Sequence, residues 1–218
     1  WSWSFGAETA LQLRDELKFT PSAVGASDIA PTQDQQYKPT GGAARHSLVI
    51  DQYKSIGYPP STVSGTNAGV ATVAVKKKAG HGFYTDYIVS VWSANSGRHI
   101  AAQMAAGAVK LYVDNAFKAT SAGVYDWDSW RQVGLAWDMS TGTWKGKVFV
   151  DGVLAIAENT DARDADTCAK VMTNACAQGD RGWYVGQAIF QSAYADVPVN
   201  RFVTRVSADA DVSETGTW

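Results

Sequence analysis

The sequence has no apolar run approaching the ~18 residues that a membrane-spanning helix requires, so helical membrane insertion is not expected. It also has no excess of positive charge. The formal net charge is −2, and Lys76, Lys77 and Lys78 form the only basic cluster, which reads as the solvated end of a strand; a nucleic-acid partner is not expected. Histidine and cysteine are scarce, at 3 and 2 residues. A zinc site would need more ligands near the cysteines than the chain supplies, since no histidine follows His99. Cys168 and Cys176 lie in the polar segment DADTCAKVMTNACAQGD, where they either close a small loop under oxidising conditions or remain free thiols. The first residues, WSWSFGAETA, lack the charged, apolar and small-residue regions of a signal peptide. No Gly-rich phosphate loop, Ser-centred nucleophile elbow or HExxH helix is present, and there is no fixed-period repeat, heptad run or low-complexity tract. One domain over residues 1–218 is the simplest organisation for a chain of this length.

What the chain does have is strand signal. Hydrophobic residues make up 45% and charged residues 18% of the sequence, enough apolar material for a sizeable core. Phe83 to Asn95 is rich in β-branched and aromatic residues, and GAVKLYVDNAFKATSA reads as strand, Asp114-Asn115 turn, strand. In RQVGLAWDM, Val133, Leu135 and Trp137 share one face. After Ser140-Thr141-Gly142 the chain returns with Trp144, Gly146, Val148 and Val150 in phase, and Asp151-Gly152 marks a two-residue hairpin turn. Gly182 to Phe190 and Asn200 to Val212 supply two further strands, and His46 to Asp51 an earlier one. Leu11 to Phe19 leans towards a short helix. Residues 20–44, with three prolines and Gly41-Gly42, read as a long loop, and residues 158–181 as an acidic, cysteine-bearing loop. The result is an all-β chain of two antiparallel sheets packed face to face, with long N-terminal loops.

The segment WDSWRQVGLAWDMSTGTWKGKVFVDGVLAIAE resembles the central hairpin of concanavalin-A-like and laminin-G-like jelly-roll domains, the fold of many lectins and glucanases. Trp130 stands at that pattern's first tryptophan, Thr141-Gly142 at its turn, and Val148, Val150, Asp151 and Gly152 at its second strand and hairpin. QMAAGAVKLYVDN looks like the strand pair before it, and RFVTRVSADADV like the closing strand. The resemblance spans roughly residues 70 to 212 and speaks to fold more than function.

Four of the nine tryptophans fall between Trp127 and Gly152. Trp137 and Trp144 alternate in phase with apolar neighbours and are expected in the core. Trp127 and Trp130, at a loop-to-strand junction beside Asp126 and Asp128, have two readings: a hydrophobic plug closing one end of the sandwich, or a glycan platform with the carboxylates as hydrogen-bonding partners. The plug is the plainer one, as core or first-strand roles are for Trp1, Trp3, Trp92 and Trp183. Jelly-roll glucanases alternate two glutamates and an aspartate on one strand, and no such strand is present. Polysaccharide lyases of this fold use Arg, Gln, His and Tyr on the concave sheet; Arg98, His99 and Gln103, with Tyr84 and Tyr87 nearby in sequence, are the corresponding residues here. Calcium is the one cofactor the resemblance leaves open, with Asp161, Asp164, Asp166 and Asp180 as candidates by residue type, although their spacing fits no known loop and no metal site is assigned.

Short chains resembling this one look like phage virion proteins such as capsid decoration or tail components. That resemblance implies a non-catalytic structural or adhesive module at a virion surface or outside the cell, in contact with other virion subunits, with copies of itself, or with surface glycans. A secreted or cell-associated lectin is the second reading, and a jelly-roll lyase or hydrolase the third.

Overall fold

The computed structural model describes residues 2–3, 20–21, 29–37, 45–50, 54–57, 65–78, 87–175 and 182–195. All regular structure among them is β. Five strands come from the N-terminal part: β1 (Ser2–Trp3), β2 (Thr20–Pro21), β3 (Ile29–Tyr37), β4 (Arg45–Ile50) and β5 (Lys54–Gly57). A continuous series follows with β6 (Ala68–Lys77), β7 (Tyr87–Ser93), β8 (His99–Ala105), β9 (Ala108–Val113) and β10 (Ala116–Thr120). The last five are β11 (Arg131–Asp138), β12 (Thr143–Val150), β13 (Val153–Ala162), β14 (Cys168–Ala175) and β15 (Trp183–Gln191).

These strands form two antiparallel sheets. One has eight strands in the order β13-β12-β11-β6-β15-β4-β3, with β1 alongside β15; the other has seven in the order β10-β9-β8-β7-β14-β5-β2. Sequence neighbours pair in the meanders, but β6 lies between β11 and β15, and β14 lies beside β7, so the chain passes repeatedly from one sheet to the other. That interleaving makes a two-layer sandwich of lectin type, as expected.

Sequence chemistry accounts for the best-defined turns. Asp114 and Asn115 have φ of 54° and 64°, and Asp151 and Gly152 have 51° and 78°, the left-handed pairs that two-residue hairpins need to match strand twist. The Asp151 carboxylate accepts the Gln132 backbone N–H at 2.9 Å and pairs with Arg131 Nη1 at 2.8 Å, which ties this turn back to β11.

The core between the sheets holds Trp137, Trp144 and Trp183, all fully buried, with Ile100, Leu111, Val113 and Val148. Each indole removes on the order of 150–250 Å² from water, about 4–6 kcal/mol at ~25 cal/mol per Å². Trp144 also satisfies its polar handle, donating Nε1–H to the Asp164 carbonyl at 2.8 Å. Two glycines make room for this packing. A Cβ on Gly69, the register partner of Trp137, would lie 2.6 Å from that ring. A Cβ on Gly146 would lie 2.9 Å from Ile100 Cγ2 and 3.1 Å from Leu111 Cδ1 in the facing sheet.

Two loops expected from sequence contain strands. Residues 20–44 include β2 and β3, and residues 158–181 include the end of β13 and all of β14. The physical reason is position: β3 and β13 are edge strands, where one row of backbone groups goes unpaired, so Pro31 is tolerated in β3, and β13 carries an exposed polar run. The suggested helix at 11–19 and the closing strand at 200–212 lie outside the described residues.

Candidate functional site

On the seven-stranded sheet, the inward positions of β7, β8, β9 and β14 are filled by Val89 and Val91, by Ile100, Ala102 and Met104, by Val109, Leu111 and Val113, and by Val171. The alternate positions therefore face away from the core. Strand register aligns them in cross-strand rows: Lys170, Trp92 and His99 in one, Met172, Ser90, Ala101, Tyr112 and Phe117 in the next, and Tyr87, Gln103 and Lys110 in a third. Five of these eleven side chains carry aromatic rings.

The rings form a connected series. Tyr112 meets Phe117 edge-on with centroids 5.8 Å apart and Tyr87 edge-on at 6.1 Å; Tyr87 meets His99 at 4.9 Å, and His99 meets Trp92 at 4.7 Å. Trp92 is fixed from behind, donating Nε1–H to Ser90 Oγ at 3.0 Å, while Ser90 donates to the Met172 carbonyl at 3.2 Å. Tyr87, Trp92 and Tyr112 are half-buried, and Phe117 is 54% exposed. Ammonium groups stand against both ends of the series, Lys170 Nζ at 5.3 Å from the Trp92 centroid and Lys110 Nζ at 6.0 Å from that of Phe117.

His99 sits within this aromatic surround, and neither of its buried ring nitrogens has a hydrogen-bond partner. Burial lowers its pKa from the ordinary value, with Asp114 opposing the shift, so the imidazole is neutral at pH 7. Asp114 is itself held at the sheet's end by Arg163 Nε at 3.5 Å and Arg98 Nε at 3.8 Å. Chemically the face offers flat apolar rings backed by polar floor residues, a surface suited to stacking against a ring-shaped ligand.

The tryptophan loop singled out from sequence takes a different role. Trp127 is only 2% exposed, belongs to the core, and packs edge-on against Trp183 at 6.0 Å with Tyr125 at 5.8 Å. Its carbonyl accepts the Lys77 backbone N–H at 2.8 Å, anchoring the loop to the end of β6. Trp127 is thus packed as the plug. Asp126 and Asp128 serve the loop as well. The Asp126 carboxylate accepts the Ser129 hydroxyl at 2.7 Å and the Asp128 backbone N–H at 2.9 Å, and these bonds hold its pKa below the usual carboxylate value; Asp128 pairs with Lys77 Nζ at 3.2 Å. Trp130 is half-buried on the same loop.

The other sequence candidates divide in the same way. Tyr87, His99 and Gln103 do share the aromatic face, whereas Arg98 is turned to Asp114 and Tyr84 lies outside the described residues. Of the acidic candidates for calcium, Asp161 is bound to Lys118 Nζ at 2.5 Å, and buried Asp166 accepts Asn95 Nδ2–H and the Thr167 N–H, each at 2.7 Å. Asp164 is exposed, Asp180 lies outside the described residues, and no group of three or more metal-ligating side chains is gathered among the residues described.

The suggested Cys168–Cys176 bridge falls partly outside the described residues, since Cys176 is not among them. Cys168 is a buried free thiol at the start of β14, and Ala175, the chain neighbour of Cys176, ends that strand.

Sequence reading had given Trp92 a structural role and had not singled out Tyr112 or Phe117. The obstacle is a bulge. Tyr87 and Trp92 are five residues apart and would face opposite ways in a regular strand, but the register shift between Tyr87 and Val89 brings both to the outer face.

Neither family models nor curated protein sequences match this chain. Solved structures do share its architecture. The cellulose-induced protein Cip1 matches over 84% of this chain and 95% of its own, with a TM-score of 0.59 and 11% identity. Peanut lectin matches over 88% and 96%, with a TM-score of 0.51 and 11% identity. The Trypanosoma rangeli sialidase in complex with sialic acid matches over 81% of this chain but only 30% of its own, with a TM-score of 0.53 and 12% identity. At these identities the likeness is one of fold: the chain is built as a lectin-like, two-sheet β-sandwich.

Proposed function

We propose that this chain is a non-catalytic glycan-binding module that uses the outer aromatic face of its seven-stranded sheet and acts as an adhesive or structural component at a surface. The carrying observation is the connected series Phe117, Tyr112, Tyr87, His99 and Trp92, with its half-open rings. Pyranose rings present apolar C–H faces, and flat side chains held rigid beforehand bind them with little further loss of freedom. Two of the fold neighbours add support by name, one being a lectin and the other a sialidase in complex with sialic acid. The setting at a phage virion surface comes from the sequence resemblance.

Glycan-array screening followed by calorimetry tests the binding function. Trp92→Ala and Tyr112→Ala are expected to lower affinity at least tenfold while the thermal unfolding transition remains cooperative. A panel with no glycan bound would refute the reading. The structural role is tested separately by native mass: a large symmetric assembly is expected, and a monomer would remove that half of the proposal.

A lyase reading has one observation in its favour, the meeting of Tyr87, His99 and Gln103 on one face. Against it, both His99 nitrogens are buried, so the imidazole has no open path to a substrate proton. Two-carboxylate hydrolysis has no footing on this face, since none of its described outward positions on β7–β10 or β14 is Asp or Glu. Release of unsaturated uronates from acidic polysaccharides would establish the lyase reading.

A further inference from the structure

We infer that the glycan taken by the aromatic face is an acidic polysaccharide, bearing carboxylate or sulfate groups along an extended chain; this rests on the glycan-binding reading above. The argument comes from where the protein leaves its positive charges. Lys77, Arg98, Lys118, Arg131, Lys145 and Arg163 each face a carboxylate. Lys110 and Lys170 do not: among the described residues their recorded interactions are with the rings of Phe117 and Trp92. Both stand on the aromatic face, and no described outward position of that face on β7–β10 or β14 carries a carboxylate to offset them.

Placement bears on selectivity. Each ammonium lies beside a ring, so a neutral sugar stacking there would have to displace a cation from an aromatic face. An acidic sugar keeps that cation and converts it into a charge-assisted hydrogen-bond donor. The two lysines lie at opposite corners of the face, three strand spacings apart and several residues offset along the strands, roughly 15–20 Å. No single sugar spans that gap, and an oligomer with repeated anionic groups does.

The experiment titrates the full chain, at two salt concentrations, with size-matched oligomers of four kinds: polyuronate, sulfated glycan, neutral β-glucan and single-stranded oligothymidylate. Acidic oligomers are expected to bind at least tenfold more tightly than neutral ones, to weaken as salt rises, and to strengthen with length up to the span of the two lysines. The uronate and sulfate arms show which anion is preferred. Lys110→Gln with Lys170→Gln is expected to bring acidic affinity down to the neutral level without moving the unfolding temperature by more than a few degrees. Equal affinity for neutral and acidic oligomers would overturn this inference while leaving glycan binding intact. Binding of no glycan would remove both, and binding of the oligonucleotide in preference to acidic glycans would overturn this inference in favour of a nucleic-acid surface.

Discussion

Replacing Trp127 by alanine is expected to destabilise the protein without directly affecting its binding face. The indole is 2% exposed, so almost all of its area returns to water on unfolding, and large aromatic-to-alanine changes in cores cost about 3–5 kcal/mol. One term reduces that figure. Trp127 Nε1 is buried with no hydrogen-bond partner, and removing it relieves a desolvation penalty of about 1–3 kcal/mol. Taking the middle of each range, the net loss is about 2 kcal/mol, which for a chain of this length lowers the unfolding temperature by roughly 4–8 °C. Trp127→Phe separates the two terms, because it deletes the unsatisfied N–H but keeps a ring against Trp183; it should lie within about 1 kcal/mol of the parent. Circular dichroism melts of both variants, with glycan titration below the transition, provide the assay. Trp92→Ala is the counterpart, with a small shift in melting and a large loss of binding. If Trp127→Ala melts like the parent and fails to bind glycan, the assignment of plug and platform is reversed and the site lies on the tryptophan loop.

Three further outcomes follow from the packing and the titrating groups. Gly146→Val should lower stability by about 1–3 kcal/mol or more, since its side chain would be driven into Ile100, Leu111 and Val113 of the facing sheet; urea melts check this, and an unchanged midpoint would show that the sheets are not so close there. Burial pushes the Cys168 thiol up to about 12, so the Cys168 peptide should stay unalkylated by iodoacetamide at pH 8 until denaturant is added, as read by peptide mass mapping; ready labelling of the native chain would contradict that burial. Burial holds the folded His99 pKa below the ordinary histidine value of about 6.5, so the unfolded chain binds the proton first as pH falls. Its contribution is fully present above about pH 6.5 and is lost below it, by at most ~1.4 kcal/mol per pH unit, until the folded imidazole also titrates. His99→Gln should flatten that part of the stability profile, and a profile identical to the parent's would rule out the histidine as the cause.

The parts of this fold that were legible in sequence share one property, a strand whose burial matches its period. Trp137 and Trp144 could be placed in the core because β11 and β12 alternate regularly on their inner face and end in turns with strong residue preferences. The strand misread at β3 and the end of β13 misread as loop lie on the sheet's two edges, where proline and polar residues are tolerated and hydrophobic patterning fades. β14 was hidden differently. It is an interior strand, but its pairing with β7 shifts register between Cys168 and Lys170, so inward Cys168 and Val171 are out of phase for simple alternation.

The same kind of irregularity decides the site. A strand without the shift after Tyr87 would leave either Tyr87 or Trp92 facing the core, and the contacts of both rings with His99 could not coexist. One extra residue therefore does what no exchange of side chains on a regular strand could do, bringing two aromatic rings of opposite parity to one face. The bulge also means that composition alone could not have located the surface. Nine tryptophans attract attention to the segment richest in them, yet the density there reflects the filling of a sandwich end, while the rings open to a ligand come one or two from each of several strands and meet only through register. A surface assembled from cross-strand partners depends on long-range pairing, so inserting or deleting a residue at the bulge should dismantle it more completely than removing any one of its rings.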